Sequence, residues 1–371
     1  MRIRVVGEGP KLLERGEMII YRRWLKGSPA PVGALVTLSD GEEDLACGLL
    51  DKIGVRVISF EPCPDSAEEA FREVIEKAFE AKSLLRYEAY RLINGDGDSF
   101  PGLIVDVYKD LAVLQSSSLA IDKHIMTIAK IVKDVTGAEA VAEKSSQRVR
   151  AKVGLPPREG LLIGNKKETV VDEEGVKFKV SIEGQKTGLY LDQRENRVYA
   201  ERFSSGSKFL DAFSYTGGFG LHALKAGARE VTFVDEDPWA LRVLRENLRL
   251  NNFDEGKVRV VREDAWKFFA RSIKRGKSFE VGSVDPPALM DDYKDGYVRY
   301  VRAYSGAGSI IEVLAVLSSC SRSMDRETFV RAVHQALAPK YRILELRGSA
   351  PDHSTRMGLE DYLKTAFVYL G

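Results

Sequence analysis

Cysteine is scarce in this chain. Three of the 371 residues are cysteine (Cys47, Cys63 and Cys320), and no two stand at C-x-x-C spacing. An odd count without such a pair argues against a disulfide framework and a structural zinc site; no metal is expected. Long apolar runs are missing too, since none approaches the roughly 20 residues that a membrane span requires. The start, MRIRVVGEG, lacks the apolar stretch of a secretory leader. These absences lead to the expectation of a soluble, cytoplasmic protein without a membrane partner. An excess of one charge is lacking as well, with 56 Lys and Arg against 55 Asp and Glu. Such a balance gives no global attraction to nucleic acid or to an anionic surface. Only five Gln and six Asn occur, a composition met in thermophilic proteins. There is no internal repeat and no low-complexity segment. None of this selects between a monomer and a homodimer.

What is present falls into three regimes. The length suggests two or three domains. Residues 1–65 hold short β-like runs, MRIRVV, GALVTLS and GVRVISF, separated by Gly and Pro and closed by E-P-C-P. That pattern predicts a small β-barrel. In LACGL (45–49) the glycine suits a close approach of strands. Residues 66–168 open with a capping box, Ser66 and Glu69. Phe71, Val74, Ile75, Ala78 and Phe79 then share one helical face. LIVDVY and LAVLQSS read as strands, and a second helix is predicted over 122–136. This is a compact α+β module. Residues 141–168 carry Lys144, Arg148, Arg150, Lys152, Arg158, Lys166 and Lys167 against three Glu. They read as a basic linker, either solvated or facing RNA.

From 169 to 371, after a hairpin in TVVDEEGVKFKVSI, strands alternate with helices. The strands are KFLDAF, EVTFVDED, VRVVRED, FEVGSVD, EVLAVLSS, YRILELRG and KTAFVYL. The alternation predicts a doubly wound sheet, so the chain is multidomain α/β. Ligands on such sheets gather at the carboxyl ends of the strands.

The strand ends are therefore informative. The first runs into DAFSYTGGFG (211–220), where the glycines permit a sharp turn and a close ligand approach. A turn of this kind serves NAD, FAD and S-adenosylmethionine alike. The second strand ends at Asp235, placed to accept ribose hydroxyls. The third ends at Asp264, which suits an adenine amino group or caps the next helix. The fourth ends in Asp285-Pro286-Pro287, whose prolines fix the direction of the loop. The fifth, VLAVLSSCS, leaves Cys320 between serines. That thiol reads equally as a small core residue or as a nucleophile at the sheet rim.

These segments resemble class I S-adenosylmethionine-dependent methyltransferases. More closely, they resemble the PUA-domain-containing RNA cytosine-5 methyltransferases, a family that includes a 23S rRNA enzyme. The resemblance rests on GQKTGLYLDQRENR (184–197), DAFSYTGGFG (211–220), VDEDPWALRVLRENLRLN (234–251), DPP (285–287), SSCS (318–321) and FPGLIVDVY (100–108). It implies a PUA-like RNA-binding barrel over 1–65, a small α+β domain over 66–168 and a Rossmann-like methyltransferase domain over 169–371. It implies S-adenosylmethionine as cofactor and RNA, foremost rRNA, as partner. Asp211, Phe213, Ser214, Gly217 and Gly218 would hold the methionine end, Asp235 the ribose and Asp264 the adenine. Asp285, Pro286 and Gln193 would complete the cofactor site. Lys186 and Arg194 would lie near cofactor or RNA, with surface salt bridges as the alternative. Cys320 and Asp285 would carry the catalysis, the thiolate adding to C6 of cytosine so that C5 can accept a methyl group.

Two other functions stay open. One is methylation of an exocyclic base amino group, against which Ala288 stands where an aromatic would follow Asp-Pro-Pro. The other is a non-catalytic RNA-binding factor. An NAD dehydrogenase explains neither Asp-Pro-Pro nor Ser-Cys-Ser. The stretch 291–309, rich in Tyr and charge, matches no segment of the resembled family. In PDHS (351–354), His353 reads either as a cleft residue or as a hydrogen-bonded structural histidine.

Overall fold

The computed structural model describes all residues except 28, 29, 147, 185–187 and 357, and the side chains of 148, 149 and 292. Lys186 thus lies outside the described residues. The chain forms two compact units. One comprises Met1–Val171, Val180–Leu189 and Pro351–Leu359; the other comprises Asp172–Lys179, Tyr190–Ala350 and Glu360–Gly371.

The first unit begins with a six-stranded, nearly closed, barrel-like sheet. Its strand order is Ile19–Tyr21, Gly54–Ser59, Asp44–Leu50, Leu35–Ser39, Arg2–Val5, Leu25–Lys26. Alternation decides its inner face: Ile3 and Val5 are buried while Arg2 and Arg4 face solvent. Gly48 is required where two strands cross closely, because a Cβ there would stand 2.4 Å from the Arg56 carbonyl oxygen.

One expectation fails here. Cys47 and Cys63 form a disulfide, with their Cα atoms 4.9 Å apart. Cys47 lies in the strand paired with Gly54–Ser59, and Cys63 follows that neighbour in sequence. The sheet therefore delivers both cysteines to bridging distance. Counting cysteines along the chain could not register that pairing.

The rest of the unit is a five-stranded sheet, ordered Arg158–Ile163, Ala140–Ser145, Leu111–Ser116, Leu103–Tyr108, Ala89–Asn94. Helices Ala67–Ser83 and Ile125–Thr136 cover it. Ser66 caps the first of these, its hydroxyl accepting from the Glu69 amide at 3.1 Å. The predicted basic linker is a second correction. Residues 140–145 and 158–163 are strands of this sheet. Arg150 is buried, paired to Asp122 at 2.9 Å, and Lys144 is buried with its ammonium on the Gly184 carbonyl. Charges placed inside a fold look like a solvated run when only composition is read.

Segment 351–359 folds into this first unit. Buried Lys82 donates to the Asp352 carbonyl at 2.8 Å, and the Arg91 amide donates to the Asp352 carboxylate at 2.9 Å. His353 is buried with Nδ1 2.9 Å from Asp352, as in the structural-histidine reading.

The second unit is a seven-stranded sheet. Its strands are β1 (Lys208–Ala212), β2 (Glu230–Asp235), β3 (Val258–Arg262), β4 (Phe279–Val284), β5 (Ile311–Ser319), β6 (Arg342–Arg347) and β7 (Lys364–Tyr369). The order is β3-β2-β1-β4-β5-β7-β6. The first five are parallel, and β7 runs antiparallel to both neighbours. Helices α1 (Gly218–Lys225), α2 (Pro238–Leu250), α3 (Ala265–Lys274), α4 (Gly296–Gly308) and α5 (Arg326–Leu337) fill the connections. Their starts follow local rules. Asp237 caps α2 with Pro238 in its first turn, and Asp325 caps α5. The unmatched stretch 291–309 contains α4, whose Tyr300, Ala303, Tyr304 and Ala307 form a buried face.

Among the described residues, no helix is long and apolar enough to cross a membrane, and no group of three or more His, Cys, Asp or Glu could hold a metal ion.

Candidate functional site

Because β3, β2, β1, β4 and β5 are parallel neighbours, their carboxyl ends share one edge. Asp211, Asp235, Asp264, Asp285 and Cys320 stand at or just beyond those ends.

Asp211 closes β1 from inside. Its two oxygens accept from the Gly220 amide at 2.8 Å and the Ser283 hydroxyl at 2.9 Å. Burial pushes its carboxyl up to about 7 against the pull of these donors. The following turn is tight, with Phe213 and Tyr215 at φ of 60° and 48°. Gly217 at φ of 95° leads into α1, and a Cβ on Gly220 would stand 2.1 Å from the Phe233 ring. These glycines are thus fixed by backbone conformation and packing. Asp235 reaches back to this turn, accepting from the Tyr215 amide at 2.8 Å and the Asp237 amide at 2.9 Å. Burial raises its carboxyl, and those amides oppose the rise.

Buried polar atoms without a partner among the described residues include Ser214 Oγ in this turn and Gln193 Nε2, whose amide oxygen lies 3.4 Å from Thr365 of β7. Buried polar groups are nearly always satisfied, so such atoms mark where a polar ligand fits. Asp264 caps α3 through one oxygen, 2.9 Å from the Lys267 amide. Phe213 and Trp266 meet edge to face, 5.0 Å apart.

The other half of the edge is built around Cys320, the cysteine outside the disulfide. Its Sγ lies 4.0 Å from the Pro286 carbonyl, which joins the Asp285 loop to the end of β5. Tyr300 secures that junction. Its hydroxyl lies 3.1 Å from the Pro287 carbonyl and 3.0 Å from Ser321 Oγ. Ser321 Oγ in turn accepts from the Met290 amide at 3.0 Å. Tyr304 donates to the Ser318 carbonyl at 2.8 Å. Tyr190 also faces the edge. Burial, then Cys320, Asp192, Asp285 and Asp235 nearby, hold its phenol far above the ordinary range.

Arg194 corrects a further expectation. It is buried, 3.4 Å from Glu173, the carboxylate that Arg197 and His222 also meet. A side chain spent inside the fold offers no surface charge to a phosphate. Arg197 donates to both Glu173 oxygens at 2.7 Å and to the Tyr190 carbonyl at 2.9 Å. Burial alone would raise the Glu173 carboxyl, but Arg197, His222 and Arg194 hold it far below the usual range.

Sequence reasoning missed Tyr190, Tyr300, Tyr304 and Arg197. For the two helical tyrosines a signal existed. Tyr300, Ala303, Tyr304 and Ala307 follow the spacing of a buried helical face. Tyr190 and Arg197 lie within the segment 184–197 that carries the resemblance, without being singled out there.

Comparison with known proteins fits this geometry. Residues 92–308 match the S-adenosylmethionine-dependent methyltransferase family. A Methanocaldococcus jannaschii chain assigned to the ribosomal RNA large subunit methyltransferases is 33% identical, over 97% of this chain and 96% of its own length. Ribosomal RNA large subunit methyltransferase I of Aeromonas salmonicida is 35% identical, over 71% of this chain and 69% of its own. In fold, the chain is similar to SMU.776, a chain assigned as a methyltransferase and crystallised with SAH. The TM-score is 0.84 at 22% identity, with both chains fully covered. The relatives match along the chain and the solved structure shares its fold, and the chain belongs to the family of S-adenosylmethionine-dependent methyltransferases, with S-adenosylmethionine as its cofactor.

Proposed function

We propose that this chain methylates C5 of a cytosine in ribosomal RNA through a covalent Cys320 adduct at C6. The observation that carries the reading is the junction of Cys320 with the Asp-Pro-Pro loop, 4.0 Å from Sγ to the Pro286 carbonyl. The relatives' names support rRNA as substrate. In this reading residues 1–65 act as a PUA-like RNA-binding barrel, 66–168 as a middle domain and 169–371 as the methyltransferase domain. The barrel would meet RNA through phosphate and shape.

The cofactor supplies an electrophilic methyl group on its sulfonium. Asp211, Phe213, Ser214, Gly217 and Gly218 hold its methionine end, and Asp235 its ribose. The second oxygen of Asp264 takes the adenine amino group, and Gln193, Asp285 and Pro286 close the site. The unpartnered Ser214 hydroxyl and Gln193 amide suit such a polar ligand. The target base leaves its stack to enter the edge. The Cys320 thiolate then adds to C6, which breaks the C5–C6 double bond and makes C5 electron-rich. Asp285, as the acid that gives its proton to ring N3, offsets the negative charge that the addition places on the ring. Once C5 carries the methyl group, a base takes its proton, and the electron pair left behind re-forms the double bond and expels the thiolate. Cysteine suits both steps, as a strong nucleophile and a good leaving group.

Cys320→Ala should keep cofactor affinity and lose all methyl transfer to unmodified rRNA, followed as labelled 5-methylcytidine after digestion. Turnover in that variant would end the covalent reading. Label in methylated adenine or guanine would move the activity to an exocyclic amino group.

A further inference from the structure

The balanced charge of the chain hides a segregation. From Arg242 to Lys277, the stretch that forms most of α2 and all of β3 and α3, eleven Lys and Arg stand against five Asp and Glu, a net of +6. The whole chain carries +1, so the remaining residues sum to −5. Because β3 is the outermost strand of its sheet, this basic stretch forms one side of the second unit.

Most of these cations face water. Arg242, Arg245 and Arg249 are exposed at i, i+3 and i+7, so they form one stripe on α2, while Leu241, Leu244 and Leu248 turn inward. Arg259 and Arg262 on β3 are exposed too, as are Lys274 and Arg275 at the end of α3. Among the described residues, Arg271 with Glu263 at 2.5 Å is the one ion pair that a cation of this stretch makes. The other acids are already held: Glu246 meets Lys179 at 2.9 Å, Asp254 accepts from the Gly256 amide, and Asp264 caps α3. Lys277 shows the result. Burial first, then Arg259, Arg271, Lys208 and Arg275, draw its ammonium below its ordinary pKa. Cations crowded in this way repel one another, and a bound polyanion relieves the repulsion. Charges on an edge strand keep other strands away, which accounts for Arg259 and Arg262 but not for α2. A membrane-surface helix inserts an apolar face, and the apolar face of α2 is spent on the sheet. Seven of the eleven cations are Arg, whose planar fork matches phosphate.

We propose that the β3 side of the sheet, with the Arg242, Arg245 and Arg249 stripe at its centre, docks the phosphate backbone of an rRNA helix. The inference rests on RNA being the substrate proposed above and is independent of Cys320. α2 begins three residues past Asp235, at the catalytic edge, and Arg249 stands about 10 Å further along the helix than Arg242. An RNA helix on this stripe therefore runs from the catalytic edge along the side of the unit. It anchors the substrate without touching the target base. Phosphate contacts fix position and carry no sequence information.

The test reads binding rather than turnover. Affinity of the full-length protein for a fluorescently labelled RNA hairpin is measured by anisotropy across a salt series. It should fall steeply with salt, as counterion release from phosphate requires. The combined variant Arg242→Gln, Arg245→Gln and Arg249→Gln should bind about tenfold more weakly or worse near physiological salt, and its slope of log affinity against log salt should be shallower by about two to three. A hairpin of scrambled sequence should show the same loss. A control removes three exposed lysines elsewhere, Lys77→Gln, Lys130→Gln and Lys340→Gln, which changes net charge equally and should keep a slope close to wild type. Calorimetry of cofactor binding establishes that both combined variants are folded. Equal slopes in the two variants, with rRNA still methylated by the wild type, overturn this inference alone. Loss of binding to phosphatidylserine vesicles in the arginine variant, with hairpin affinity unchanged, gives the stripe to a membrane and overturns it as well. A wild type that neither binds the hairpin nor methylates rRNA overturns the reading beneath it.

Discussion

At β1, β2 and β3 the chain holds the strand-end carboxylates largely with its own backbone. Asp211 takes the Gly220 amide, Asp235 takes the amides of Tyr215 and Asp237, and Asp264 takes that of Lys267. At β4 and β5 side chains from distant elements do the holding. Tyr300 and Tyr304 reach in from α4, and Lys364 from β7. The first half is assembled mainly from neighbouring strand ends and their turns, with one side chain from β4, Ser283, on the second Asp211 oxygen. The second exists only when α4 and β7 have docked. In the proposed function the first half cradles a methyl donor shared by many enzymes, whereas the second, the acceptor end, must be shaped for one substrate. Long-range side chains are a means of varying that end without disturbing the cradle.

The largest expected effect breaks the cofactor half from beneath. Glu173 neutralises Arg197, which holds the Tyr190 carbonyl and lies under the glycine turn; a Cβ on Gly218 would stand 2.9 Å from Arg197 Cδ. Glu173→Ala removes the buried carboxylate that Arg197 bonds through two nitrogens and that lies 3.4 Å from Arg194. Stranding buried charge in this way costs about 3–5 kcal/mol. Thermal denaturation should show that loss, and cofactor affinity should fall with it. A variant melting like wild type would mean that the cluster does not support the turn.

A smaller effect separates the halves. Tyr300→Phe removes the hydroxyl between Pro287 and Ser321 and fills the same space. Losing this buried bridge should cost about 1–2 kcal/mol of stability. Cofactor affinity should be unchanged, while methyl transfer drops as Cys320 and the Asp-Pro-Pro loop lose their common tie. Equal losses in affinity and turnover would show that the two halves are not independent.

The same division explains how far the sequence could be read. Every strand of the seven-stranded sheet was legible, because alternation of β and α runs and helix caps are local signals. So were the carboxylates at the strand ends, since the fold places ends by rule. What was not legible depends on who meets whom. Cys47 and Cys63 meet through strand pairing, and Arg150 finds Asp122 from 28 residues away. Arg194 was expected near cofactor or RNA, with a surface salt bridge as the alternative; its burial against Glu173 depends on the preceding hairpin. Asp264 was read both as a cap and as an adenine ligand. The structure displays the cap, which occupies one oxygen. The stretch 291–309 matched no segment of the resembled family; on α4 its Tyr300 and Tyr304 lie on the buried face.

The smallest effect sharpens the account of the cofactor half through pH. Asp211 is fully inside, and burial raises its carboxyl to about 7. In the unfolded chain the same group ionises near 4. Between these values the folded state keeps a proton that the unfolded chain has released. The stability this contributes is complete below about pH 4, declines as pH rises, and is gone above about 7. Glu173 works in the opposite sense: its depressed carboxyl contributes stability above the ordinary range, lost only as the pH falls. Asp211→Asn has no proton to release. Its amide can still accept from the Gly220 N–H and donate to the Ser283 hydroxyl. Melting both proteins at pH 5 and pH 8 cancels the groups they share. The wild type should lose more stability across that interval than the variant. Equal losses would place the Asp211 proton elsewhere, and would mean that the Gly220 amide and Ser283 hydroxyl outweigh burial in keeping the carboxylate charged.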